Sequence, residues 1–143
     1  MTDVRLYQTA DGGEIDYVNG APEMSSGLES AAYLSLFGGN ERDAGDEATA
    51  HLQWWGNFGE TMPERTYRSE TQHLLRALPA IPLNLRRVED AVERDLEWMV
   101  GTVVSSVTIA VTMPAPNRFR IALEFAVTDE TFAIDFDGRW GSL

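Results

Sequence analysis

At Gly101 the spacing of apolar residues changes from three or four to two, and this change constrains the fold more than any other feature. Upstream, Leu85, Val88, Val92, Leu96 and Met99 recur at helical intervals behind Asn84, whose side chain suits a helix N-cap. Downstream, Val103, Ser105, Val107, Ile109, Val111 and Met113 alternate with Val104, Ser106, Thr108, Ala110 and Thr112, as the two faces of one long strand do. Pro114-Ala115-Pro116-Asn117 turns the chain. Phe119, Ile121, Leu123, Phe125 and Val127 return on a partner strand whose other face carries Arg118, Arg120 and Glu124. Thr131 to Phe136 alternates again through Phe132, Ile134 and Phe136 and reads as a third strand. Helices followed by hairpin-linked strands predict an α+β fold, its C-terminal antiparallel meander packed as one layer of sheet against helices.

The N-terminal half adds to that layout. Asp3 to Thr9 and Glu14 to Val18 read as a β-hairpin around Asp11-Gly12-Gly13, and Asn19-Gly20-Ala21-Pro22 reads as a break. Ser26 and Glu29 have capping-box spacing, which predicts a helix from Gly27 to a left-handed glycine at Gly38. Leu28, Ala32 and Leu36 would form its apolar stripe, widened by Ala31 and Leu34. Asn40 to Thr49, with Glu41, Asp43, Asp46 and Glu47, reads as an acidic surface loop, and Leu52, Trp54, Trp55 and Phe58 end it. A second helix is expected from Ser69 and Glu70, through Leu74, Leu75 and Leu78, to a stop at Pro79. On the outer face of the third helix, Glu89 repels Glu93 and Asp90 attracts Arg94, so that face reads as a mixed, solvated one.

The totals narrow the functional classes. With 143 residues and no internal repeat, one domain over 1–143 is expected, with 129–143 as a possible extra strand and tail. Without cysteine there can be no disulfide, thiolate nucleophile or zinc–thiolate site. No apolar run approaches the roughly eighteen residues of a membrane span, and no signal-peptide pattern is present, so a soluble protein is expected. Twenty-three acidic against 11 basic residues leave a formal charge of −12, which argues against nucleic acid or an anionic membrane as partner. The two histidines, His51 and His73, lie in no zinc-binding pattern, and there is no nucleophile elbow, Walker loop or dinucleotide turn. No cofactor and no metal are therefore expected. A carboxylate pair such as Glu60 with Glu64, or Asp135 with Asp137, leaves glycoside hydrolysis as the enzymatic alternative.

Three stretches taken in order resemble one family. Leu28 to Phe37 (L-E-S-A-A-Y-L-S-L-F), then Trp54-Trp55-Gly56, then Asp95-Leu96-Glu97-Trp98-Met99-Val100-Gly101 before a hairpin resemble the baseplate family named after the forty-sixth gene product of phage Mu. The resemblance covers about residues 3 to 128. It implies a wedge subunit of a contractile tail baseplate, related in fold to the twenty-fifth gene product of phage T4 and to its counterpart in type VI secretion. The implied partners are other wedge proteins, the central hub or spike and the first ring of tail sheath, with six copies per baseplate assembled in the bacterial host. Where T4-type relatives carry Glu-Pro-Arg, this chain reads Val100-Gly101-Thr102. Older lysozyme-like labels on relatives are the source of the alternative, a peptidoglycan hydrolase. For a structural subunit, interface energy gathers at aromatic and arginine anchors. Trp54, Trp55, Phe58, Arg118, Arg120 and Trp140 are the candidates, together with an exposed edge of the hairpin.

Overall fold

The computed structural model describes residues 2–9, 12–38, 59–62 and 69–141. The chain runs through six short N-terminal strands, β1 (Thr2–Val4), β2 (Leu6–Thr9), β3 (Gly12–Ile15), β4 (Tyr17–Val18), β5 (Ala21–Pro22) and β6 (Met24–Ser26). Three helices follow, α1 (Gly27–Phe37), α2 (Glu70–Ala77) and α3 (Leu85–Leu96), then β7 (Ser106–Thr112), β8 (Arg118–Val127) and β9 (Glu130–Arg139). The fold is α+β. Its C-terminal sheet is antiparallel in the order β7-β8-β9, with Val111, Ile121 and Phe136 in one row and Ile109, Leu123 and Ile134 in the next.

The alternation of β8 decides which side of that sheet is core. Phe119, Ile121, Leu123 and Phe125 face the helices and are almost completely buried, each adding on the order of 1.5–3 kcal/mol of apolar burial. From α1, the Phe37 ring lies 6.1 Å from Phe119 and 5.7 Å from Phe136, and the Tyr33 ring lies 6.2 Å from Phe136. Val88, Val92 and Leu96 of α3 complete the core. Gly138 lets Phe119 cross β9, since a Cβ there would stand 3.0 Å from the ring.

Several boundaries differ from the sequence expectation for identifiable reasons. The meander's first strand begins at Ser106 and not at Val103, because the amides of Thr102, Val103 and Val104 all point at the carbonyl of the buried Met99. Glycine at 101, with φ of 83°, permits that knot, and α3 gives way to a 3-10 turn over Glu97–Met99 before it. The third strand runs to Arg139, well past Phe136. α1 starts with Ser26 accepting from the Leu28 amide, as its spacing predicts, but Gly38 is right-handed and Leu34 is exposed while Tyr33 and Phe37 are buried. Glu29 turns toward Arg5, at 3.9 Å.

The N-terminal hairpin is more branched than its pattern suggests. β2 pairs with β3 as expected, but β1 pairs with β6, and β4 pairs with β5 across Asn19 and Gly20, both at positive φ. The presumed break is therefore a two-residue hairpin turn. At the junction three backbone bonds close a ring, Arg5 N–H to Glu23 O (2.7 Å), Glu23 N–H to Asp16 O (2.8 Å) and Asp16 N–H to Arg5 O (3.2 Å). The Arg5 guanidinium sits 3.3 Å from Glu23 and 4.0 Å from Asp16.

Eight residues are too few to hold a helix by themselves, and α2 is held at both ends by other elements. Ser69 does not cap it, since the Ser69 hydroxyl donates to Ser35 O of α1. The cap comes from α3, where Asp95 accepts the Glu70 and Thr71 amides at 3.1 and 2.8 Å. Just outside, Arg94 donates to both oxygens of Glu70 at 2.8 and 2.9 Å, which replaces the expected Asp90 pairing. At the other end the Trp140 indole N–H donates to Leu78 O (2.8 Å) and the Gly141 amide to Leu75 O (3.0 Å).

Two predictions follow from these caps. Burial pushes the Asp95 carboxyl up from 3.8 to about 7, the helical amides pulling the other way with less effect. A raised folded value stabilises the protein fully below about pH 4 and is lost as pH rises through about 7. Denaturant titrations should therefore show the native chain gaining roughly 2–4 kcal/mol on Asp95→Asn between pH 7.5 and pH 4.5. An equal or opposite difference would place the carboxyl at or below its ordinary value. Trp140→Phe, which leaves Leu78 O without its donor, should cost about 1–3 kcal/mol. Hydrogen exchange should show the α2 amides losing protection before those of β8, whereas uniform loss would deny the tail a capping role.

Candidate functional site

Of the six candidate anchors, Trp54, Trp55 and Phe58 lie outside the described residues. Trp140 is 5 % exposed and committed to α2, so the tail tryptophan is a structural cap and not an exposed anchor; its alternation with Phe136 could not reveal that partner. Arg118 and Arg120 do lie at the surface, on the face of the sheet turned away from the helices. In register, Arg118 faces Arg139 and Arg120 stands between Thr112 and Asp137. Like charges directly opposite on adjacent strands are unfavourable. This corner is thus a concentration of arginine in a chain of −12 charge.

The helices cover only one face of the sheet. The outer face presents Ser106, Thr108, Ala110 and Thr112 from β7, then Arg118, Arg120, Ala122 and Glu124 from β8, then Thr131, Ala133, Asp135 and Asp137 from β9. Among the described residues β7 and β9 each have one strand neighbour, so both are edges with unpaired backbone donors and acceptors.

Between the β7 edge and the flank of α3 runs an open groove of about 720 Å³. One wall is Ser106, Val107, Thr108 and Ile109; the other is Arg86, Glu89, Glu93, Arg94 and Glu97, with Val100 at one end. Both arginines are already engaged, Arg86 with Glu89 and Asp90 at 3.0 Å each, and Arg94 with Glu70. Glu93 and Glu97 are exposed and have no ion-pair partner among the described residues. Sequence reasoning read this flank as a mixed, solvated face. The visible signal was the line Glu89, Glu93, Glu97 at intervals of four, which puts three carboxylates on one stripe of a helix.

A second surface is apolar. On the N-terminal ribbons Ile15, Tyr17, Val18 and Met24 are all more than 40 % exposed, at the tips of strands that carry Glu14, Asp16 and Glu23 between them. For catalysis the arrangement offers little. Asp135 and Asp137 project into solvent from one face of β9, and Glu60 is exposed while accepting the Thr61 and Met62 amides, whereas Glu64 lies outside the described residues. Glu93 and Glu97 share one helix flank and do not oppose each other across a cleft, as a glycosidase pair must. Among the described residues no group of three or more His, Asp or Glu could hold a metal ion, and no helix is long and apolar enough to cross a membrane. Among the described residues the surface comprises an open sheet face, two strand edges and a charged groove. No family model, no curated protein and no solved structure matches this chain.

Proposed function

We propose that this chain is a structural subunit of a contractile phage tail baseplate, a wedge protein joining its neighbours to the central hub and to the first ring of sheath. The sheet, which among the described residues is roofed by helices on one side and open on the other face and at both edges, is the observation that carries this reading. Such edges recruit extended segments of other chains through main-chain hydrogen bonds. The ordered resemblance of Leu28–Phe37 and of Asp95–Gly101 to the Mu-type family adds the biological setting. In the fold these two segments meet, the Trp98 indole N–H donating to the Ser35 hydroxyl at 2.9 Å. Much of that signature is therefore packing, and partners are to be sought on the sheet.

Quantitative mass spectrometry of purified tail particles should find this chain at six copies per baseplate, and its deletion should leave hubs without polymerised sheath. Its absence from the particles, or a copy number unrelated to six, would sink the reading. So would clearing of cell-wall material by the purified protein, if one Asp or Glu substitution abolished it without unfolding the chain.

A further inference from the structure

The groove between α3 and β7 joins two features. One wall is the β7 edge, unpaired among the described residues, which offers backbone hydrogen bonds to an extended chain. The other is a helix flank whose side chains Glu93 and Glu97, without an ion-pair partner among the described residues, carry the same sign and sit one turn apart. Their rise along the helix axis is ~6 Å. Alternate residues of a strand are separated by ~6.7 Å. For a strand running along α3 the two repeats are close enough that successive same-face side chains would meet successive glutamates.

Length and layering agree with that. From Arg86 to Glu97 the acidic wall extends ~16 Å, the length of a five-residue strand. α3 belongs to the helix layer, so every second side chain of a strand laid beside β7 would turn toward it. The half-buried Val107 and Ile109, with Val100 42 % exposed, give those side chains an apolar floor for their stems.

We propose that this groove binds an extended basic segment of a partner protein, added as a fourth strand beside β7, with Arg or Lys at alternate positions facing Glu93 and Glu97. Charge excludes the other occupants. A second copy would bring either its β7 edge, which carries no basic residue, or its β9 edge, whose helix-side row begins with Glu130, against the same glutamates, and nucleic acid carries the wrong sign. The inference deepens the adaptor reading by naming the chemistry of one partner.

A fluorescein-labelled nine-residue peptide alternating Arg and Thr, titrated into the full chain and followed by anisotropy, is the test. It should bind, and a Glu-for-Arg peptide should not. Glu93→Gln combined with Glu97→Gln, both exposed, should weaken binding about tenfold and flatten its salt dependence. Two further peptides, methylated on complementary sets of alternate backbone nitrogens, keep the charge and block one hydrogen-bonding side each. One should lose binding at least tenfold and the other should keep it, with the amides of Ser106 to Ile109 shifting in NMR spectra only for the binder. No binding of the parent peptide at millimolar concentration overturns the proposal. Equal binding of the two methylated peptides, or indifference to the glutamine variant, does so as well. None of these results bears on the copy number in particles, so the groove and the baseplate setting can fail separately.

Discussion

Everything on the helical side of this protein depends on α2 being held at both ends by residues distant in sequence. The helix spans eight residues, its own Ser69 serves α1, and its first amides are accepted by Asp95 of α3. Its last carbonyls are met by Trp140 and Gly141 beyond β9. An orphan amide or carbonyl at a buried helix end costs what a lost hydrogen bond costs. Supplying partners from α3 and from the tail fixes α2 against both the helix layer and the sheet. The Ser35 hydroxyl extends the same polar seam to α1, donating to Ala31 O while accepting the Trp98 indole N–H. Three helices of modest length are thus joined by directional bonds where apolar packing alone would leave them free to slide.

That arrangement explains which parts of the fold were legible in the sequence. Periodicity is a local property, and it located α3, the meander and the buried face of β8 with errors of a few residues. The Ser26 cap of α1 was legible for the same reason, since donor and acceptor are two residues apart. Asp95 stood out only as the first residue of the stretch Asp95–Gly101, and its capping role was invisible because its partners lie 24 and 25 residues away. Trp140 read as a free aromatic for a similar reason, its acceptor being 62 residues upstream. The ring of Arg5, Asp16 and Glu23 is harder still, since it is made of backbone groups and has no side-chain signature. Of the candidate anchors, the positions of Arg118 and Arg120 followed from alternation on β8, a local rule. The groove did not, because it needs the lateral placement of α3 beside one particular edge.

A sheet roofed on one side has three surfaces left, and their charges differ. The β7 edge looks onto Glu93 and Glu97, and the outer face ends in a corner where Arg118, Arg120 and Arg139 gather. β9, the other edge, is acidic along much of its length. Natural sheets commonly place charge at their edges to prevent indiscriminate pairing, and with a net charge of −12 this chain repels its own copies. The same charges make pairing selective, since a strand that neutralises the groove is favoured where one carrying acids is repelled.

Selectivity of this kind is what the proposed reading, a subunit with several neighbours, would require. An uncharged edge would accept any extended segment, including that of an identical copy, and an adaptor built on it would polymerise. Opposite signs at two places on one sheet make those two surfaces select for different chemistry, and the basic segment proposed for the α3 groove would be disfavoured at the arginine corner. The helices, locked through α2, keep the Glu93–Glu97 stripe at a fixed distance from the β7 edge, so that the spacing an incoming strand must match is set by the core and not by the loops.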